Sequence, residues 1–149
     1  MPSATEPLRH ELRIAAPPEV VFPYFTDPAR MVAWMGVAAL LDPRPGGTFR
    51  LEANGRDVVL GEYLEVEAPR RVVFTWGFEG TERVAAAGST RVEVTLEPDG
   101  NGTLLTLDHH GLPDRAREAH EQGWNHYLPR LTLAVRGEQP GPDPWIVTD

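Results

Sequence analysis

The sequence contains no cysteine, and this absence excludes several kinds of chemistry. Without thiols the chain cannot form disulfides, use a thiol nucleophile or bind zinc through thiolates. It also lacks any apolar run near the roughly 20 residues that a membrane-spanning helix needs. Its first residues lack the basic and apolar segments of a secretory signal. We therefore expect a cytoplasmic protein that does not cross a membrane.

Basic residues are also few, 14 against 22 acidic ones, which gives a formal net charge of -8. A protein that binds nucleic acid usually clusters Lys and Arg to displace counterions from phosphates. Here the basic side chains are scattered, and Arg70-Arg71 is the only adjacent pair. An acidic chain is also poorly suited to an anionic membrane surface. We expect neither nucleic acid nor a membrane as a partner.

The length of 149 residues is enough for one substantial core but hardly for two. No internal repeat divides the chain. We therefore expect a single domain over residues 1–149, with a core at about 8–136 and a proline-rich tail at 137–149. The segment Trp145-Ile146-Val147 is the part of this tail that could dock back onto the domain.

Hydrophobic periodicity predicts the order of the elements. Residues 8–15 read as an opening strand, and two short helices follow, over 19–26 and after the Asp27-Pro28 cap signal. From Gly46 the period changes to two, which predicts a series of strands up to His109 with a bulge near Gly61. Residues 114–136 repeat at three- and four-residue steps, which predicts one long helix with a kink at Pro129.

These elements predict an α+β fold. An antiparallel sheet with one apolar face needs a cover, and only the C-terminal helix is long enough to supply it. We expect a curved antiparallel sheet of about six strands wrapped around that helix, with two short helices after the first strand.

Six segments, in this order, resemble a known family: Pro45-Gly46-Gly47-Thr48-Phe49-Arg50, Gly61-Glu62-Tyr63-Leu64-Glu65-Val66, Ala68-Pro69-Arg70-Arg71-Val72-Val73-Phe74-Thr75-Trp76, Thr90-Arg91-Val92-Glu93-Val94-Thr95-Leu96, Gly102-Thr103-Leu104-Leu105-Thr106-Leu107 with His109, and Gly123-Trp124 with Leu128 and Leu131. Together they are similar to the bacterial relatives of the activator of heat-shock protein 90 ATPase, within the START-like (SRPBCC, polyketide cyclase) superfamily. The resemblance covers about residues 8–136. It implies a helix-grip fold with a cavity between sheet and helix whose ligands are usually hydrophobic. Because this superfamily includes carriers, receptors, aromatase/cyclases and co-chaperones, the fold does not settle the function.

The predicted ligand-binding residues are mostly apolar and aromatic side chains with inward parity: Trp34, Met35, Phe49, Leu51, Phe74, Trp76, Leu105, Leu107, His109, Trp124, Tyr127, Leu128 and Leu131. Such walls suit a small-molecule site, because burial supplies affinity and a few polar groups orient the ligand. A closed core needs the same residue types, and for each residue alone core packing is the simpler interpretation. As a group they favour a cavity, because bulky rings face a helix that carries Ala116, Ala119 and Gly123.

Three side chains are weak catalytic candidates. His109 matches the family's histidine position and could act as a general acid or base, with Tyr63 or Tyr127 polarising a carbonyl. The alternative interpretation is a histidine that is hydrogen-bonded to the loop before the long helix, and two tyrosines with their rings in the core and their hydroxyls at the rim. We assign no catalytic residue and leave enzymatic activity open.

We expect no metal and no cofactor. His109 and His110 are adjacent on a strand and point to opposite faces, and His120 and His126 are six residues apart on a helix, which separates their faces.

The leading hypothesis is a binder of a small hydrophobic molecule. The alternatives are a cyclase- or dehydratase-type enzyme and a co-chaperone-like interaction domain with a chaperone partner. Such a sheet also leaves an outer face and edges available for a weak homodimer.

Overall fold

One antiparallel sheet and one long helix dominate the computed structural model, which describes residues 6–80 and 85–146. The elements in chain order are β1 (Leu8–Ile14), α1 (Pro18–Val21), a 3-10 turn (Phe22–Phe25), α2 (Pro28–Met31), β2 (Ala38–Leu41), β3 (Thr48–Glu52), β4 (Val58–Glu67), β5 (Arg71–Trp76), β6 (Thr90–Asp99), β7 (Gly102–His110) and α3 (Asp114–Val135). This confirms the predicted α+β helix-grip fold. Val147 of the predicted docking segment lies outside the described residues.

The described sheet has seven strands in the order β1-β7-β6-β5-β4-β3-β2, and each neighbouring pair is antiparallel. The strand count therefore differs slightly from the predicted number of about six. The additional strand is β2, with the sequence Ala-Ala-Leu-Leu. This segment is short and does not alternate, so its periodicity gave no sign of a strand.

The β-bulge lies in β4, but not at Gly61. The register between β4 and β5 shifts between Tyr63 and Glu65. Gly61 has a different role, because a Cβ atom there would overlap the carbonyl oxygen of Thr75. Glycine at this position therefore allows two backbones to approach closely.

The short helices lie close to their predicted positions, but the first one, predicted over 19–26, divides into α1 (Pro18–Val21) and the 3-10 turn (Phe22–Phe25). Pro18 starts α1, and Asp27 caps α2 because its carboxylate accepts a hydrogen bond from the backbone N–H of Ala29 at 3.1 Å. Such a cap satisfies one of the N–H groups that have no partner within the helix.

Helix α3 covers the inner face of the sheet. It buries Trp124, Leu128 and Leu131 against the apolar sides of the strands, while Ala116 packs in a smaller cluster with Leu8, Ala85 and Leu112. The helix continues through Pro129, although proline has no N–H to donate to the preceding turn. The core therefore lies between α3 and the sheet, where the sequence predicts it.

The outer face of the sheet carries ion pairs. Arg9 of β1 donates to both carboxylate oxygens of Asp108 on β7, at 2.7 and 3.0 Å. Arg91 pairs with Glu93 within β6. Exposed pairs of this kind contribute little stability, so burial on the inner face holds the sheet in place. Among the described residues, no helix is long and apolar enough to cross a membrane.

Candidate functional site

A cavity of about 210 Å³ lies at one end of the space between α3 and the sheet. Its lining comes from the segment after α2, the β3–β4 turn, β4, the end of β5, α3 and the C-terminal tail: Met35, Ala53, Asn54, Asp57, Val59, Trp76, Phe78, Ala119, His120, Gly123, Trp124, Tyr127 and Trp145. Five of these side chains carry aromatic rings in addition to the imidazole of His120. Two small residues of α3 also border this space, the exposed Ala119 and the half-buried Gly123.

Gly123 is a half-buried residue of α3 that borders the cavity. A Cβ atom built at this position meets no other group within 4 Å. Glycine in the middle of a helix lowers its stability relative to alanine. No neighbouring group in the described part of the chain requires the missing side chain at this position, because none lies close enough to overlap it. The position therefore faces open volume.

The middle of the domain, in contrast, is solidly packed. The rings of Phe49 and Phe74 stack with centroids 4.2 Å apart and planes 9° from parallel. The indoles of Trp76 and Trp124 are in contact, with centroids 5.2 Å apart. The cavity therefore lies beside the Trp76–Trp124 pair and does not run through the whole interior.

Four of the thirteen predicted ligand-binding residues border this cavity, namely Met35, Trp76, Trp124 and Tyr127. The other nine are buried in the core away from it: Trp34, Phe49, Leu51, Phe74, Leu105, Leu107, His109, Leu128 and Leu131. Trp34, for example, packs edge-on against Phe25, and its indole N–H donates to the carbonyl of Tyr24 at 3.0 Å.

His109 is fully buried and both of its ring nitrogens are engaged. The indole N–H of Trp124 can only donate, so Nδ1 of His109 accepts from it, at 3.1 Å. Nε2 then carries the proton and donates to Oγ1 of Thr90 at 2.8 Å, and the Thr90 hydroxyl donates to the carbonyl of Trp76 at 2.7 Å. This chain of hydrogen bonds ties β5, β6, β7 and α3 together around a neutral imidazole.

The electrostatics agree with a neutral His109. Burial lowers its pKa well below the ordinary value, and the neighbouring His120, His110 and His10 lower it further. A proton on Nδ1 would also break the bond from Trp124. The observed contacts therefore favour the alternative of a hydrogen-bonded core histidine, although the partners are Thr90 and Trp124 and not the loop before the long helix.

The two tyrosines do not converge with His109 on one space. The Tyr63 hydroxyl donates to the carbonyl of Phe25 at 2.8 Å in the core. The Tyr127 hydroxyl donates to Oδ2 of Asp143 in the tail at 2.7 Å, while its ring borders the cavity. Burial raises the pKa of both hydroxyls, and the Asp143 carboxylate adds to the rise at Tyr127. Neither geometry offers a shared acid–base site with the imidazole.

His120 is a polar group of the cavity wall. The sequence pointed to it only as a possible metal ligand and not as part of a binding site. Its Nδ1 lies 2.9 Å from the carbonyl of Ala116 and so carries the proton, and its Nε2 accepts from the indole N–H of Trp76 at 3.3 Å. Burial lowers the pKa of His120 despite the opposing effect of the Ala116 carbonyl. A neutral imidazole keeps this wall free of positive charge.

A group of possible metal ligands, Glu93, Asp108 and His110, lies on the outer face of the sheet with ligand atoms within 4.8 Å of one another. Arg9 holds both oxygens of Asp108, and Arg91 lies 3.0 Å from Glu93. The guanidinium groups already neutralise these carboxylates. The group is therefore a salt-bridge network.

Comparison with known proteins identifies the family. The model of the family described as "Activator of Hsp90 ATPase homolog 1-like protein" matches residues 15–136. The chain is similar to an AHSA1-like protein from Rhizobium etli, with 42% identity and a TM-score of 0.73 over 96% of this chain and 89% of that one. It is also similar to CalU16 from Micromonospora echinospora, with 30% identity and a TM-score of 0.72 over 87% of this chain and 75% of that one.

Two further similarities are partial. DynU16, a protein of the dynemicin biosynthetic locus, has 25% identity and a TM-score of 0.78 over 93% of this chain but 50% of its own. An uncharacterised curated protein of Schizosaccharomyces pombe is 38% identical over 61 residues, which are 41% of this chain and 17% of that protein. The family and the fold support a ligand-binding domain in general terms.

Proposed function

The chain belongs to the family of activator of Hsp90 ATPase homolog 1-like proteins, and we propose that its cavity binds a small, largely hydrophobic molecule. The observation that carries this proposal is the open volume beside Gly123, bordered by the rings of Trp76, Trp124, Tyr127 and Trp145. Apolar and aromatic walls with few polar groups are typical of small-molecule sites.

The volume limits the size of the molecule. An apolar cavity of about 150 Å³ accepts benzene, and sites for drug-sized compounds begin at about 300 Å³. The cavity of about 210 Å³ lies between these two. It therefore suits a compound of one or two rings, such as indole or 2-naphthol.

The polar groups in the cavity wall place few further requirements on the chemical nature of the ligand. His120 is neutral and bonded to Trp76 and Ala116, so a ligand contacts it through the ring and not through a charge. The Asn54 side chain, at the β3–β4 turn, is engaged with the backbone N–H groups of Arg56 and Asp57. Burial of apolar surface is thus the main source of affinity that this cavity offers.

A thermal-shift titration with indole and 2-naphthol tests the proposal. Ligand at a hundred times its dissociation constant stabilises the folded state by about 2.7 kcal/mol. For a domain of this length that corresponds to a rise in Tm on the order of 5–10 °C. No rise with either probe would contradict the proposal.

A matched pair of variants localises the binding. Gly123→Leu places a side chain into the cavity and favours the helix, so it should abolish the shift without lowering Tm. Gln122→Leu adds the same side chain at the neighbouring exposed position and should leave the shift unchanged. An equal shift in both variants would place the probe elsewhere on the protein.

A further inference from the structure

The C-terminal tail beyond α3 is attached to the domain by an unusual set of polar contacts. The carboxylate of Asp143 is buried, with 3% of its side chain exposed. It accepts from the Tyr127 hydroxyl at 2.7 Å, and its Oδ1 lies 2.9 Å from Nε2 of His126. The backbone N–H of Trp145 also donates to Oδ1, at 2.9 Å. A buried carboxylate is costly unless it is fully hydrogen-bonded, and these three contacts meet that requirement.

A second anchor holds the tail one turn further along α3. The guanidinium of Arg130 donates to the carbonyl of Gly141 at 2.9 Å and to the carbonyl of Trp34 at 3.3 Å. One side chain thus joins the tail, the helix and the segment after α2. The tail is therefore docked at two points on successive turns of the helix.

These anchors place Trp145 at the cavity. Its indole stacks on the imidazole of His126, with centroids 4.0 Å apart and planes 12° from parallel, and meets the Tyr127 ring edge-on at 5.7 Å. Trp145 borders the cavity together with Tyr127, yet 44% of its surface remains exposed. It is thus a wall residue that contacts the cavity on one side and solvent on the other.

The tail lies beyond the part of the chain that the family model covers, which ends at residue 136. Strands β4 and β5 and helix α3 supply much of the cavity wall, and the tail adds the half-exposed ring of Trp145 at the solvent-facing rim of the cavity. A ligand long enough to reach this ring must therefore contact or displace it.

We propose that Trp145 is the residue through which the C-terminal tail contributes to the wall of the ligand site, and that this ring, held by Asp143, sets the largest ligand that the site accepts. This inference rests on the proposed function of the cavity. Removing the Trp145 ring should open the site to longer compounds and weaken the binding of compact ones, which lose an aromatic contact.

Fluorescence titration with two probes tests the inference, with 2-naphthol as the compact probe and N-phenyl-1-naphthylamine as the longer one. In Trp145→Ala the ratio of the two affinities should shift by about tenfold towards the longer probe, the size expected for the loss of one aromatic contact. Trp145→Phe keeps a ring at the rim and should behave nearly as the original protein. Gln139→Ala, an exposed change in the same tail, should leave the ratio unchanged.

The role of Asp143 is tested by Tyr127→Phe and Asp143→Asn, which keep the ring of Trp145 but weaken its anchor. Both variants should shift the affinity ratio in the same direction as Trp145→Ala, and thermal unfolding should show that they remain folded.

A ratio unchanged in Trp145→Ala, with 2-naphthol still bound, would overturn the inference and leave the proposed function intact. A shift in Trp145→Ala without one in Asp143→Asn would overturn the role of the anchor. Failure of the original protein to bind either probe would overturn the proposed function and this inference together.

Discussion

Replacing Gly123 with alanine should stabilise the protein, and the reason lies in the empty space beside it. Glycine in a helix interior is about 1 kcal/mol less favourable than alanine. In most cores a new methyl group would offset this gain by overlap, but here a Cβ atom meets no other group within 4 Å. The expected gain is therefore about 1 kcal/mol, or a rise in Tm of about 2–4 °C for a domain of this length.

Thermal unfolding followed by circular dichroism, supported by chemical denaturation, measures this change. Gly61→Ala is the matched control, because its Cβ atom would overlap the carbonyl of Thr75, and it should lower Tm. If Gly123→Ala instead leaves Tm unchanged or lowers it, the space beside Gly123 is filled in solution. The argument for a cavity at this point would then be wrong.

Two other predictions concern the hydrogen bonds around His109. Thr90→Val leaves the imidazole Nε2–H and the Trp76 carbonyl without their buried partner, and it should lower the free energy of unfolding, measured with denaturant, by on the order of 3 kcal/mol. The control Thr106→Val, on the outer side of β7, should change it little. Equal effects of the two substitutions would contradict the role assigned to Thr90. Burial lowers the pKa of both His109 and His120 in the folded protein, so the unfolded chain binds protons first. The free energy of unfolding should be level above about pH 6.5 and fall below it by up to about 1.4 kcal/mol per pH unit for each histidine, and a flat profile between pH 7.5 and 5.5 would contradict the neutral, buried state of both rings.

Much of the fold follows from the sequence because its signals are local. Alternation defines β6 and β7, the Asp27-Pro28 pair defines the start of α2, and the three- and four-residue steps define α3. The strand that the sequence missed, β2, has no such signal. It forms because β3 offers a partner edge, which is a property of the folded sheet and not of four residues.

The candidate site follows from the sequence only in part, because inward parity does not separate residues that line a space from residues that fill it. Phe49 and Trp76 share this parity, but Phe49 stacks on Phe74 while Trp76 borders the cavity. The difference depends on which neighbour each ring meets across the sheet. The sequence also indicated that Trp145-Ile146-Val147 could dock onto the domain, but it did not indicate where, since the position of Trp145 depends on the contacts of Asp143 with α3.

Intermolecular nuclear Overhauser effects between 2-naphthol and the protein would test the central claim, a ligand-accepting cavity beside Gly123, most directly. We predict contacts from the probe to the Gly123 α-protons and to the rings of Trp76 and Tyr127. Contacts confined to exposed apolar side chains such as Val37 and Leu40, or no contacts at saturating probe, would contradict it.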